Sequence, residues 1–196
     1  MGLSGFQVAI LVLPYLLNDF IIIDYGTRIV TLALFVNFAQ RAKGPPADFG
    51  LARLPTTTLI KWTVFLTAAC VFIDRAGTWI LEPPLHDYRL FRFPAYPTNS
   101  DKFFDLTFGV ALVAISEEII FRGVLLTYLT KRIKFEPKTA AMISILLFSA
   151  IHWSSGPATL ITTFVWAFLP TYSFFRVGSI YPSIVAHFIT DFVAFY

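Results

Sequence analysis

Glu117 and Glu118, followed four residues after the second by Arg122, put two adjacent carboxylates and a guanidinium into one short stretch, Ser116-Glu117-Glu118-Ile119-Ile120-Phe121-Arg122. The stretch lies near the middle of an apolar run from Phe103 to Thr130, about 28 residues, where roughly 20 suffice for a helix that crosses a bilayer. A charge at the centre of such a helix costs roughly 2.5–3.5 kcal/mol on insertion scales. On a helix, Glu118 and Arg122 share a face and can pair. Glu117 points about 100° away from that face. Of the two carboxylates, Glu118 therefore reads as structural and Glu117 as reactive. The competing reading is a buried ion pair that only locks neighbouring helices.

Two of the three histidines also fall inside apolar stretches. His152 closes Phe148-Ser149-Ala150-Ile151-His152, and His187 opens His187-Phe188-Ile189-Thr190-Asp191. Each pair, Phe148 with His152 and His187 with Asp191, is four apart and shares a helix face. His86 lies in a polar segment and receives no role. A glutamate beside a histidine can take a proton from water, and burial pushes a carboxylate towards the range of a base working near neutral pH. A second histidine with a hydrogen-bonding neighbour can stabilise a developing oxyanion. This is equipment for attack of water on a peptide carbonyl. The chain has no serine nucleophile elbow and no His-Glu-x-x-His zinc motif.

These groups must be carried by helices that face one another inside an apolar medium. The composition agrees: 57% of the 196 residues are hydrophobic, 14% are charged, and mean hydropathy is +0.71. A soluble domain averages about 45–50% apolar and about 25% charged. The expected fold class is all-α, a polytopic transmembrane helix bundle of about seven spans. It forms one integral membrane domain over 1–196. The net charge of +3 sits in loops, which argues against nucleic acid as a partner. Cys70 is the only cysteine, so no internal disulfide can form.

The hydrophobic pattern predicts spans at Phe6–Ile23, interrupted by Pro14, at Tyr25–Gln40, and at Trp62–Trp79, bracketed by tryptophans. The helix of Phe103–Thr130 follows, then Thr139–Trp153, Ala158–Phe175 with a break at Pro170, and Ser179–Tyr196. Residues 41–61 and 131–138 read as basic loops on the cytoplasmic side. Glu82 to Lys102 reads as a polar loop on the other side, containing Pro83, Pro84, Pro94 and Pro97.

Glu-Glu-x-x-x-Arg at 117–122, Phe-x-x-x-His at 148–152 and His-x-x-x-Asp at 187–191 occur in the order found in the CPBP family. These are the CAAX-protease and bacteriocin-processing intramembrane glutamic endopeptidases, also called the Abi family. The chain resembles that family over a catalytic core at 103–196. The resemblance implies an integral membrane peptide hydrolase without metal or cofactor, multi-pass in a bacterial inner membrane. Its substrate would be a membrane-embedded or lipid-anchored protein or peptide, in CAAX-like processing, bacteriocin maturation or sorting-tail cleavage. It implies that Glu117 activates water with His152, that Glu118, Arg122 and Phe148 support the site, and that His187 and Asp191 occupy the oxyanion-hole positions. Eukaryotic CAAX proteases usually carry asparagine at the last position, so Asp191 must either donate as the protonated acid or orient His187. Two alternatives stay open. One is a zinc-dependent protease with Glu117, His152, His187 and Asp191 as ligands. The other is a non-catalytic membrane protein, a transporter relay or an immunity protein.

Overall fold

The computed structural model describes residues 20–41, 46–85, 88, 96 and 98–196. The described residues are all helical in class, with six long helices and no strand. We number them α1 (Phe20–Arg41), α2 (Thr56–Leu85), α3 (99–132), α4 (Pro137–Ala150), α5 (Pro157–Val177) and α6 (Tyr181–Phe195). The chain forms two compact units, 1–43 and 44–196. In the first, α1 carries an internal ion pair one turn apart, Arg28 Nε to Asp24 at 2.9 Å. Residues 20–23 of the span expected at Phe6–Ile23 are helical in α1. The rest of that expected span lies outside the described residues.

In the second unit α2 packs on α5 and α6, α4 on α5, and the middle of α3 on α6. Among the described residues two helices are long and apolar enough to cross a membrane, α2 and α5, while α4 and α6 are apolar but shorter. The outside of the unit is apolar and its centre holds charge. Phe72 is 72% exposed and Trp79 81%, while Glu118 and Arg122 are each 0% exposed. This inverts the soluble pattern, in which charged residues are almost never fully buried.

Several boundaries differ from those expected. The segment taken as a loop from Glu82 to Lys102 is helical at both ends. Helix α2 continues through Pro83 and Pro84 to Leu85. Proline's fixed φ is itself helical, so two prolines in a last turn end a helix rather than prevent it. Helix α3 starts at Asn99 because the Thr98 hydroxyl accepts the Asp101 backbone N–H at 3.1 Å, an N-cap. Pro170 does not interrupt α5, which runs through it to Val177 and stops at Gly178 in the left-handed conformation, φ 66°. Helix α4 ends at Ala150, before His152.

Helix α3 contains three wide stretches with i→i+5 geometry, and the longest, Ile119–Leu126, begins directly after Glu118. Such π-type turns recur at functional sites. Around this stretch the other elements close tightly. Ser144 of α4 donates to the Phe121 carbonyl at 3.1 Å. A Cβ on Gly123 would lie 2.7 Å from the Phe49 carbonyl oxygen, so only glycine admits the 46–49 turn here. Thr127 Oγ1 donates to the Asp48 carbonyl at 2.9 Å, and Lys131 pairs with the Asp48 carboxylate at 2.6 Å. The Ile180 N–H donates to the Gly50 carbonyl at 2.8 Å. One short turn thus joins the end of α3 to the α5–α6 connection.

Candidate active site

The site grows from the α3 junction. Glu118 Oε1 accepts from Arg122 Nη1 at 2.9 Å, as the four-residue spacing predicts. The same oxygen lies 3.1 Å from His187 Nδ1 of α6. A carboxylate oxygen can only accept, so Nδ1 carries the proton here. The other ring nitrogen, Nε2, lies 3.4 Å from Asp191 Oδ2 and 3.9 Å from Glu117 Oε2. His187 therefore sits among three carboxylates, two from α3 and one from its own helix. Glu117 and His187 are buried, and Asp191 is the most open of the group at 24%.

Arg122 is held on two more sides. Its guanidinium carbon is 4.4 Å from the Phe148 ring centroid and 5.7 Å from that of Trp166, both within cation–π range. Nη2 reaches the Ala167 carbonyl at 3.5 Å. Phe148 stands edge-on to His187 at 6.0 Å and lies nearly parallel to Trp166 at 5.5 Å. These aromatic rings join Cys70, Phe121, Ile145 and Ala167 in the central core cluster. Cys70 belongs to α2 and is fully buried in this cluster. The first half of the described second unit therefore helps enclose the site.

His152 is reached differently from the expected helical face. It lies past the end of α4, in the turn before the Trp153–Ser155 segment, with φ −91° and ψ 11°. It still meets Phe148, with ring centroids 5.1 Å apart, because its Nδ1 is 2.9 Å from the Phe148 carbonyl oxygen. A carbonyl cannot donate, so Nδ1 holds the proton and Nε2 carries the lone pair. Fourteen residues of α4 rise only about 21 Å, less than the roughly 30 Å hydrocarbon thickness.

The structure thus gathers Glu117, Glu118, Arg122, Phe148, His187 and Asp191 into one cluster, with His152 against its Phe148 wall. Sequence reading assigned Glu118 only to Arg122 and missed its bond to His187, 69 residues away. It also missed Trp166, whose sole signal was an aromatic in an apolar helix. Among the described residues, no three His, Cys, Asp or Glu side chains are grouped so as to hold a metal ion.

Packed apolar helices thus enclose a buried carboxylate–histidine cluster. The family model described as type II CAAX prenyl endopeptidase Rce1-like matches residues 99–193, from the first turn of α3 to the last turns of α6. All seven residues of the three motifs fall within the match. The family resemblance carried by those motifs is thereby shown, and this part of the chain is Rce1-like. No curated protein and no solved structure matches the chain. The family implies a membrane-embedded protease with a membrane-associated protein substrate.

Proposed function

We propose that this protein is a multi-pass intramembrane glutamic endopeptidase, with about seven spans in a bacterial inner membrane, that cleaves a lipid-anchored or membrane-embedded polypeptide. The observation that carries this reading is the buried grouping of Glu117 with His187 and Asp191 inside an apolar exterior. In the proposed reaction a water loses its proton to Glu117, assisted by the Nε2 lone pair of His152. The resulting hydroxide adds to the carbonyl carbon of the scissile peptide. The carbonyl π electrons move to oxygen, and a proton on His187 Nε2 offsets the developing charge. Collapse breaks the C–N bond, and the proton held by the Glu117–His152 pair passes to the leaving nitrogen. Asp191 orients His187 rather than donating, since its Oδ2 faces the ring nitrogen. Glu118 and Arg122 hold the other side of that ring and take no proton.

The zinc alternative is not favoured, because among the described residues no three His, Cys, Asp or Glu side chains are grouped so as to hold a metal ion. The test uses the full chain reconstituted in liposomes with a quenched, farnesylated peptide ending in a CaaX sequence, beside a set of transmembrane peptides. The expected result is cleavage of at least one at a single bond, at a rate that chelator does not change, and a rate on the order of 10²-fold lower for His152→Ala. Cleavage abolished by chelator and restored by zinc would overturn the metal-independent mechanism. The absence of cleavage of every peptide would remove the protease reading.

A further inference from the structure

We infer that Trp166 of α5 is a positioning residue, the wall that keeps the His187 imidazole in its single working orientation. None of the three motifs includes it. The inference rests on the reading of this cluster as a hydrolytic site, but its geometry stands apart from that reading. The Trp166 ring centroid is 4.7 Å from that of His187 at 59°, closer than the 6.0 Å contact of Phe148. Its own place is fixed by the near-parallel Phe148 ring at 14° and by the Arg122 guanidinium. It is 5% exposed.

His187 needs such a wall for a chemical reason. Its ring has two distinct nitrogens with two distinct jobs: Nδ1–H donates to Glu118, and Nε2 faces Glu117 and Asp191. A half-turn of the ring would put carbon where each nitrogen now stands and would break the bond to Glu118. Rotation about the ring's own bond is a soft, broad torsion for histidine, so hydrogen bonds alone hold it only in part. A large flat side chain at 4.7 Å blocks the sweep. The role belongs to the ring face and not to the indole nitrogen, because Trp166 Nε1 has no hydrogen-bond acceptor among the described residues. A buried donor without an acceptor disfavours the fold, so packing alone would be served as well by phenylalanine. The aromatic face is what the site requires.

The experiment compares wild type, Trp166→Phe and Trp166→Leu, with Trp166→Met standing in if the leucine variant does not fold. The first readout is the ¹⁵N spectrum of histidine-labelled protein in detergent, with His187→Gln identifying the ring. It needs no substrate. Wild type and Trp166→Phe should give one hydrogen-bonded Nδ1–H pattern for His187, while the non-aromatic variant should give an exchange-averaged one. The second readout is cleavage kinetics. The phenylalanine variant should keep kcat within about threefold, and the non-aromatic variant should lose roughly 10–100-fold in kcat with KM changed less than about threefold, as misplacement of a reacting group does. A wild-type His187 spectrum in the folded leucine or methionine variant overturns the inference. So does an equal loss of kcat in the phenylalanine variant. An averaged spectrum in a protein that cleaves nothing would keep the positioning role and sink the protease reading instead.

Discussion

Helices α2 and α3 are the two longest in the second unit, and they use their residues in opposite ways. Helix α2 turns its large apolar side chains outward, Phe72, Trp79 and Ile80 among them, and buries only Leu66 and Cys70. Helix α3 buries Ser116, Glu117, Glu118 and Arg122 in consecutive turns. In water this would be an unstable arrangement twice over. In lipid, apolar surface has no need to hide, and a charge is tolerated only where partners enclose it. The lesson is that apolarity marks the outside of this unit and polarity marks its centre.

The comparison can be broken most severely at Arg122. Arg122→Ala leaves Glu118 and His187 facing each other without the guanidinium, and it opens space between Phe148 and Trp166. Removing one member of a buried pair costs about 3–5 kcal/mol. The expected outcome is a large drop in thermal stability in detergent, with low folded yield. Unchanged melting with activity alone lost would move Arg122 from scaffold to chemistry.

A matched pair of phenylalanine truncations sharpens the contrast. Phe148 touches Phe121, His152, Trp166, His187 and Arg122 and is 1% exposed. Phe148→Ala should cost about 3–5 kcal/mol, as core aromatic deletions do. Phe72→Ala on the outer face of α2 should shift stability by less than about 0.5 kcal/mol. Chemical denaturation in a fixed detergent measures both. Equal losses would mean that α2 is covered by protein and not by lipid.

The parts legible in the sequence were those set by local rules. Spacing alone paired Glu118 with Arg122, since four residues on a helix meet regardless of the rest of the fold. The three motifs fell within the stretch that the family model matches, and the apolar runs located four of the helices, α3 to α6, to within a few residues. Helix ends were less legible. The Thr98 cap and the tolerance of α2 for Pro83 and Pro84 depend on single hydrogen bonds and on how the last turn is finished. The contact of Phe148 with His152 was expected from a continuing helix, yet it arises in a turn after that helix has ended. The bond from Glu118 to His187 and the stacking of Trp166 were not legible, because both depend on how α5 and α6 rotate against α3. No periodicity within one helix reports that rotation.

The central claim is a division of labour between adjacent carboxylates, with Glu118 holding the cluster and Glu117 performing the proposed proton transfer. Parallel measurement of melting temperature and cleavage rate for Glu117→Gln and Glu118→Gln tests it directly. Glutamine keeps the shape of each side chain but cannot accept the water's proton. The account predicts that Glu117→Gln melts like wild type while its rate falls on the order of 10²–10⁴-fold. It predicts that Glu118→Gln melts well below wild type, because Arg122 and His187 lose their shared anion. Wild-type cleavage by Glu117→Gln, or an equal fall in melting temperature for the two variants, would contradict it.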